Sequence, residues 1–150
     1  MEHKVRVTKE FNFEMAHALW GYDGLCKHLH GHSYKLYVTV VGTPITDTND
    51  KKLGMVIDFG DLKQIVKPMI VDVMDHSVAL NKNAPHAYFG DAKPLFDRIH
   101  LLDYQPTCEN MVIDFAHKIR NKLPQGVELY SIKLYETATS FAEWYASDNA

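Results

Sequence analysis

The sequence predicts an α+β fold, an antiparallel sheet with its helices gathered on one face. Two observations carry that expectation. Alternating apolar runs open and close the chain, and two stretches with apolar spacings of three and four lie between them. The order is β-β-α-α-β-β, four strands and two helices, read as a single domain over residues 1–150.

Residues 5–17 and 30–42 alternate in the manner of long strands, and the turn-rich Trp20-Gly21-Tyr22-Asp23-Gly24 joins them as an antiparallel pair. Gly54-Met55-Val56-Ile57-Asp58-Phe59 then leads into a helix whose stripe is Leu62, Ile65, Val66, Met69 and Val73, ending near Asp75-His76. Pro68 falls inside it. An interior proline costs roughly 3 kcal/mol, so a kink or a break is expected there. Residues 81–105 show no period and contain Pro85, Gly90 and Pro94, which reads as irregular structure such as a lid or interface element. Thr107 is a suitable N-cap for a second helix. Glu109 suits its first turn, Val112, Phe115, Ala116, Ile119 and Leu123 form its buried stripe, and Pro124-Gln125-Gly126 ends it. Val127 to Glu136 alternates again, with Tyr130, Ile132, Leu134 and Glu136 on one face, and Phe141 to Tyr145 gives a last short strand.

With 46% apolar residues, 23% charged residues and a net charge of -3, the composition is that of a soluble domain. Neither a nucleic acid nor a membrane is expected as partner, because the chain has no basic block and no membrane-length apolar run. Met1-Glu2-His3-Lys4-Val5-Arg6 lacks the apolar core of a signal peptide, and two cysteines make no disulfide framework. A reducing cytoplasm is the expected compartment, with Cys26 a free thiol.

The chemistry concentrates around His30-Gly31-His32. Histidines two apart share a face only on a strand, here with Tyr34, Leu36, Val38 and Val40. His17 ends the first strand on the face of Phe11, Phe13 and Met15, so pairing of the two strands would bring three imidazoles together. Three histidines with an open fourth position are the ligand set of a catalytic zinc site. The alternative, that each histidine merely pairs with a polar neighbour, suits one histidine better than three on one face. His28 belongs to the loop and reads as a bystander. Cys26 has two functional readings, a fourth ligand that closes the site or a thiol that moves protons beside it; Cys108 reads as inert. Asp75-His76 can be a proton-relaying carboxylate–imidazole pair or simply a solvated helix end. Glu136 ends an apolar face, where a carboxylate must be exposed or paired, and it would suit the adjacent N–H donors of a 2-amino-4-oxo pyrimidine ring. Glu109 could do similar work, but it equally suits the helix dipole.

Taken in order, Phe13-Glu14-Met15-Ala16-His17, Cys26-Lys27-His28-Leu29-His30-Gly31-His32, Gly54-Met55-Val56-Ile57-Asp58-Phe59, Asp75-His76, Pro106-Thr107-Cys108-Glu109-Asn110 and Tyr135-Glu136-Thr137 resemble the 6-pyruvoyl-tetrahydropterin synthase family. The spacing from Cys26 to His30-Gly31-His32 resembles the bacterial branch that makes 6-carboxy-5,6,7,8-tetrahydropterin for queuosine and other deazapurines. The resemblance implies a T-fold subunit of four antiparallel strands and two helices, assembled as a homohexamer, a dimer of trimers, with active sites between subunits. It implies that His17, His30 and His32 bind Zn2+ and that Cys26, Asp75 and His76 are catalytic, the last two reaching in from a neighbouring subunit. Glu136, assisted by Thr107 and Glu109, would hold the pterin. The substrate would be 7,8-dihydroneopterin triphosphate, with Lys27 and His28 as candidate phosphate contacts, and the products a carboxypterin, acetaldehyde and triphosphate. Zinc would act as a Lewis acid toward the substrate's side-chain hydroxyls.

Other readings remain open: a pyruvoyl-forming synthase that eliminates only triphosphate, an aldolase-like release of glycolaldehyde, a non-catalytic pterin- or metal-binding module, and a structural zinc protein with Cys26 as ligand. The sequence departs from the family pattern at Cys108, where alanine or serine is usual, at Pro68, and in the long 81–105 segment.

Overall fold

The spine is the pairing of β1 (Val5–Ala18) with β2 (His30–Gly42), which are antiparallel along their length. The computed structural model describes residues 2–150, without the side chains of 86–89; Met1, where the leader-peptide reading began, lies outside them. Along β1 and β2, buried side chains alternate with more exposed ones, as the period of two dictates. Phe11, Phe13 and Met15 meet Tyr34, Leu36, Val38 and Val40 in the core. β5 (Val127–Thr137) pairs antiparallel with β2, and β6 (Ser140–Tyr145) with β5. These four are the strands the sequence predicts.

Two more strands correct that count. β3 (Ser77–Asn81) lies parallel to the end of β1, and β4 (Ile99–Leu102) parallel to β3, giving a mixed six-stranded sheet of order β4-β3-β1-β2-β5-β6. The irregular segment expected over 81–105 is therefore partly strand. Between β3 and β4 run 3₁₀ turns over His86–Phe96, broken at Gly90, where φ is +55°.

The helices cover the buried face. α1 (Phe59–Val66) is capped by Asp58, whose carboxylate accepts from the Gly60 N–H. A π turn over Lys67–Val71 then passes into α2 (Asp72–Met74). Pro68 neither ends nor sharply breaks the helix: widening to a π turn absorbs the proline's missing donor and its ring. α3 (Cys108–Arg120) buries Met111, Val112, Phe115, Ala116 and Ile119, and the chain leaves it through Gly126 at φ +84°. Removing the fully buried Phe115 ring would cost about 3–5 kcal/mol. None of the helices among the described residues is long and apolar enough to cross a membrane.

Candidate functional site

Strand register builds the site. His17 lies opposite His30, and Met15 opposite His32, at one end of the β1–β2 pair. Odd positions of β1 and even positions of β2 face inward, so all three imidazoles project from the same face. Their rings are mutually edge-on, with centroids 4.6, 5.1 and 4.8 Å apart. One ligating nitrogen from each lies within 4.8 Å of the others.

Backbone carbonyls decide the tautomers. His17 Nδ1 lies 2.7 Å from the Pro106 carbonyl, and His30 Nδ1 lies 2.7 Å from the His28 carbonyl. A carbonyl only accepts, so each Nδ1 carries the proton and each neutral Nε2 presents a lone pair. These two Nε2 atoms are 3.1 Å apart. The buried His32 Nε2 has no hydrogen-bond partner among the described residues. Lone pairs converging in this way are repulsive unless a cation lies among them. Tetrahedral zinc with Zn–N bonds of about 2.0–2.1 Å would space its nitrogens roughly 3.3 Å apart, close to the spacing of the His17–His30 pair, and three imidazole nitrogens are a donor set that suits such an ion. Burial pulls His17 below the ordinary imidazole pKa, as do the neighbouring His30 and His32, against the opposing pull of Pro106 and Glu136. Burial likewise lowers His32. Both shifts favour the neutral, ligating form.

Glu136 joins this centre. Its Oε1 lies 3.5 Å from His17 Nε2 and 3.7 Å from His32 Nε2. The β5–β6 register shifts between Tyr135 and Thr137, so Glu136 occupies a bulge, a common device for re-aiming one side chain. Tyr34 is buried below the cluster, stacked on Phe13, with its hydroxyl 3.4 Å from His17 Nδ1.

The remaining predicted residues are placed differently. Cys26 is an exposed free thiol in a short 3₁₀ turn, Leu25–Lys27, tethered by the bond from the Leu19 N–H to the Cys26 carbonyl. It is outside the histidine group. Asp75 and His76 follow α2. The Asp75 carboxylate accepts from the Glu14 N–H at 2.8 Å and meets His76 Nδ1 at 2.9 Å. The Glu14 peptide, then His76 and Arg98, hold the Asp75 carboxyl below the usual carboxylate range. His76 adopts φ +58°, a left-handed conformation that is strained for a side chain of this size, and its N–H donates to the Glu14 carbonyl at 2.6 Å. Its ring is 76% exposed. It borders an open depression of about 400 Å³ with Glu14, Met15, Ala16, Gly31, His32 and Ser33. No hydrogen bond or ion pair among the described residues joins Cys26, Asp75 or His76 to the cluster.

Thr107 is the N-cap of α3, its hydroxyl accepting from the Asn110 N–H, and Glu109 is exposed in that helix's first turn. Cys108 is buried and donates to the Leu134 carbonyl, and burial pushes its thiol up to about 12. Sequence reasoning missed the carbonyls of Pro106 and His28, which fix two tautomers. Only the proximity of Pro106 to a helix start hinted at a constrained backbone there.

A sheet with helices on one face, and three histidines that could hold a metal ion at the end of its longest strand pair, places the chain in the T-fold class. Residues 6–147 match the family described as 6-pyruvoyl tetrahydropterin synthase, and the chain belongs to that family. It is 38% identical over 141 residues to the 6-carboxy-5,6,7,8-tetrahydropterin synthase of Haemophilus influenzae, covering 93% of this chain and 97% of that protein. An uncharacterized protein of known structure from Wolinella succinogenes superposes with a TM-score of 0.79 at 23% identity, covering 96% of this chain and 99% of that one. The 6-pyruvoyl tetrahydropterin synthase of Caenorhabditis elegans gives 0.66 at 23% identity, covering 96% of both chains. At those identities the two structures speak for the fold, while the sequence match makes this chain an enzyme, a lyase of tetrahydropterin synthase type.

Proposed function

We propose that residues 1–150 form one synthase domain that converts 7,8-dihydroneopterin triphosphate to 6-carboxy-5,6,7,8-tetrahydropterin with Zn2+, releasing acetaldehyde and triphosphate, as a step of queuosine and deazapurine synthesis in the cytoplasm. The observation that carries this is the convergence of one ring nitrogen from each of His17, His30 and His32, with Cys26 left outside the set. His17, His30 and His32 would hold the ion, which would supply Lewis-acid polarisation to the substrate's side-chain oxygens.

The other steps belong to the chain. Glu136 accepts two N–H bonds from the amino-pyrimidinone ring, fixing its orientation. Thr107 and Glu109 would assist Glu136 in holding the ring. Cys26, on its exposed turn, takes or returns a proton at the pterin side chain. The Asp75 carboxylate orients His76 through Nδ1, leaving His76 Nε2 free to exchange the second proton. His76 is turned outward, and no hydrogen bond or ion pair among the described residues joins it to the chain's own histidines, so it would serve a neighbouring subunit's substrate. This is the reason to propose active sites between subunits of a homohexamer, a dimer of trimers.

The test is incubation of zinc-loaded protein with 7,8-dihydroneopterin triphosphate and mass analysis of the products. Acetaldehyde with a carboxypterin is expected. A pyruvoyl product without acetaldehyde would favour the second reading, which the family's own description supports. An unchanged substrate would contradict both.

A further inference from the structure

We infer that Arg98 is a positioning residue for the Asp75–His76 pair; the inference rests on the proposed role of that pair in proton transfer. Arg98 lies in the segment between β3 and β4 that the sequence leaves featureless. Parallel pairing of β4 with β3, with the Val78 N–H donating to the Arg98 carbonyl at 2.9 Å, brings this residue back beside the end of α2.

Its guanidinium Nη2 lies 2.8 Å from the Asp72 carbonyl, 3.1 Å from the Val73 carbonyl and 2.9 Å from the Asp75 carbonyl. His100 Nε2 adds a contact of 2.6 Å to the Val73 carbonyl. The last carbonyls of a helix have no partner within it, and a cation there also complements the helix dipole. Arg98 therefore closes α2 at the residue where the chain must leave the helical conformation (Asp75 ψ +133°) and enter the left-handed one at His76.

The pair is held from two sides. The Glu14 peptide uses its N–H on the Asp75 carboxylate and its carbonyl on the His76 N–H, while Arg98 holds the Asp75 carbonyl between them. Without the guanidinium the strained His76 backbone can relax, and the imidazole loses its bearing on the substrate. Misplacement of a reacting group by about 1 Å can cost up to 10²-fold in rate.

The test uses the zinc-loaded full chain with R98A, R98K, D75N and the double variant R98A/D75N. R98A is expected to lower kcat on the order of tenfold with KM and bound zinc per chain unchanged, and R98K to recover part of that loss because it keeps one cationic donor. In the D75N background, R98A should add less than about twofold, since both act through one imidazole. If R98A does not fold, R98K must still show a lowered kcat at unchanged KM. An R98A enzyme with wild-type kcat, or one whose full loss recurs on D75N, overturns the inference alone. Wild-type activity in D75N overturns the reading of the pair, and this inference with it.

Discussion

The histidine centre and the proposed proton-transfer groups are built in opposite ways. His17 is 1% exposed, its ring clamped by a carbonyl on one nitrogen and by two other imidazoles on the second. Cys26 sits on an exposed turn, and His76 is 76% exposed at a strained backbone position. The three imidazoles converge within a single chain. Cys26 and His76 are presented outward, as the proposed site between subunits requires. The difference teaches that burial and register are enough to bring three imidazoles together, whereas groups proposed to move protons must stay open to substrate.

The largest effect expected from breaking this contrast is at the centre. His32→Ala should purify without stoichiometric zinc and lose more than about 10³-fold in activity, because several kcal/mol of Lewis-acid stabilisation go with the ion. Metal analysis and rate together check it, and retained zinc would contradict it. Next comes Cys26→Ala. It should keep its zinc while activity falls on the order of 10²–10³-fold, the scale of a lost general acid–base group. Parallel loss of metal would show that the two halves are not separate.

A smaller effect concerns pH. His17 and His32 are both held below the ordinary imidazole value of 6.5. Just beneath that pH the unfolded chain binds more protons than the metal-free fold, so stability present above it is lost as the pH falls. The denaturation midpoint of metal-free protein should thus be lower at about pH 5.5 than at about pH 7.5. Equal midpoints would count against the buried neutral cluster. Smallest is Thr107→Ala, expected to cost about 1 kcal/mol of stability through the lost cap, measured by thermal unfolding. A change in KM without that loss would instead reveal a substrate contact.

Much of this was legible in the sequence. A period of two over β1 and β2 was enough to align His17, His30 and His32, because a register slip would turn the apolar set outward. The inward face of Glu136 followed from the same period. Its approach to the histidines did not, since the bulge that aims it leaves no mark in an alternating pattern. β3 and β4 escaped because five- and four-residue strands carry too little periodicity, and their parallel partners are distant in the chain. With them the role of Arg98 was hidden, as was the capping of α2. Pro68 was read correctly as a disturbance, but its accommodation depends on backbone widening that composition does not encode.

The most direct measurement is X-ray absorption at the zinc edge of the loaded protein. The account predicts only nitrogen and oxygen neighbours at about 2.0–2.2 Å; a sulfur neighbour at about 2.3 Å would make Cys26 a ligand and contradict it.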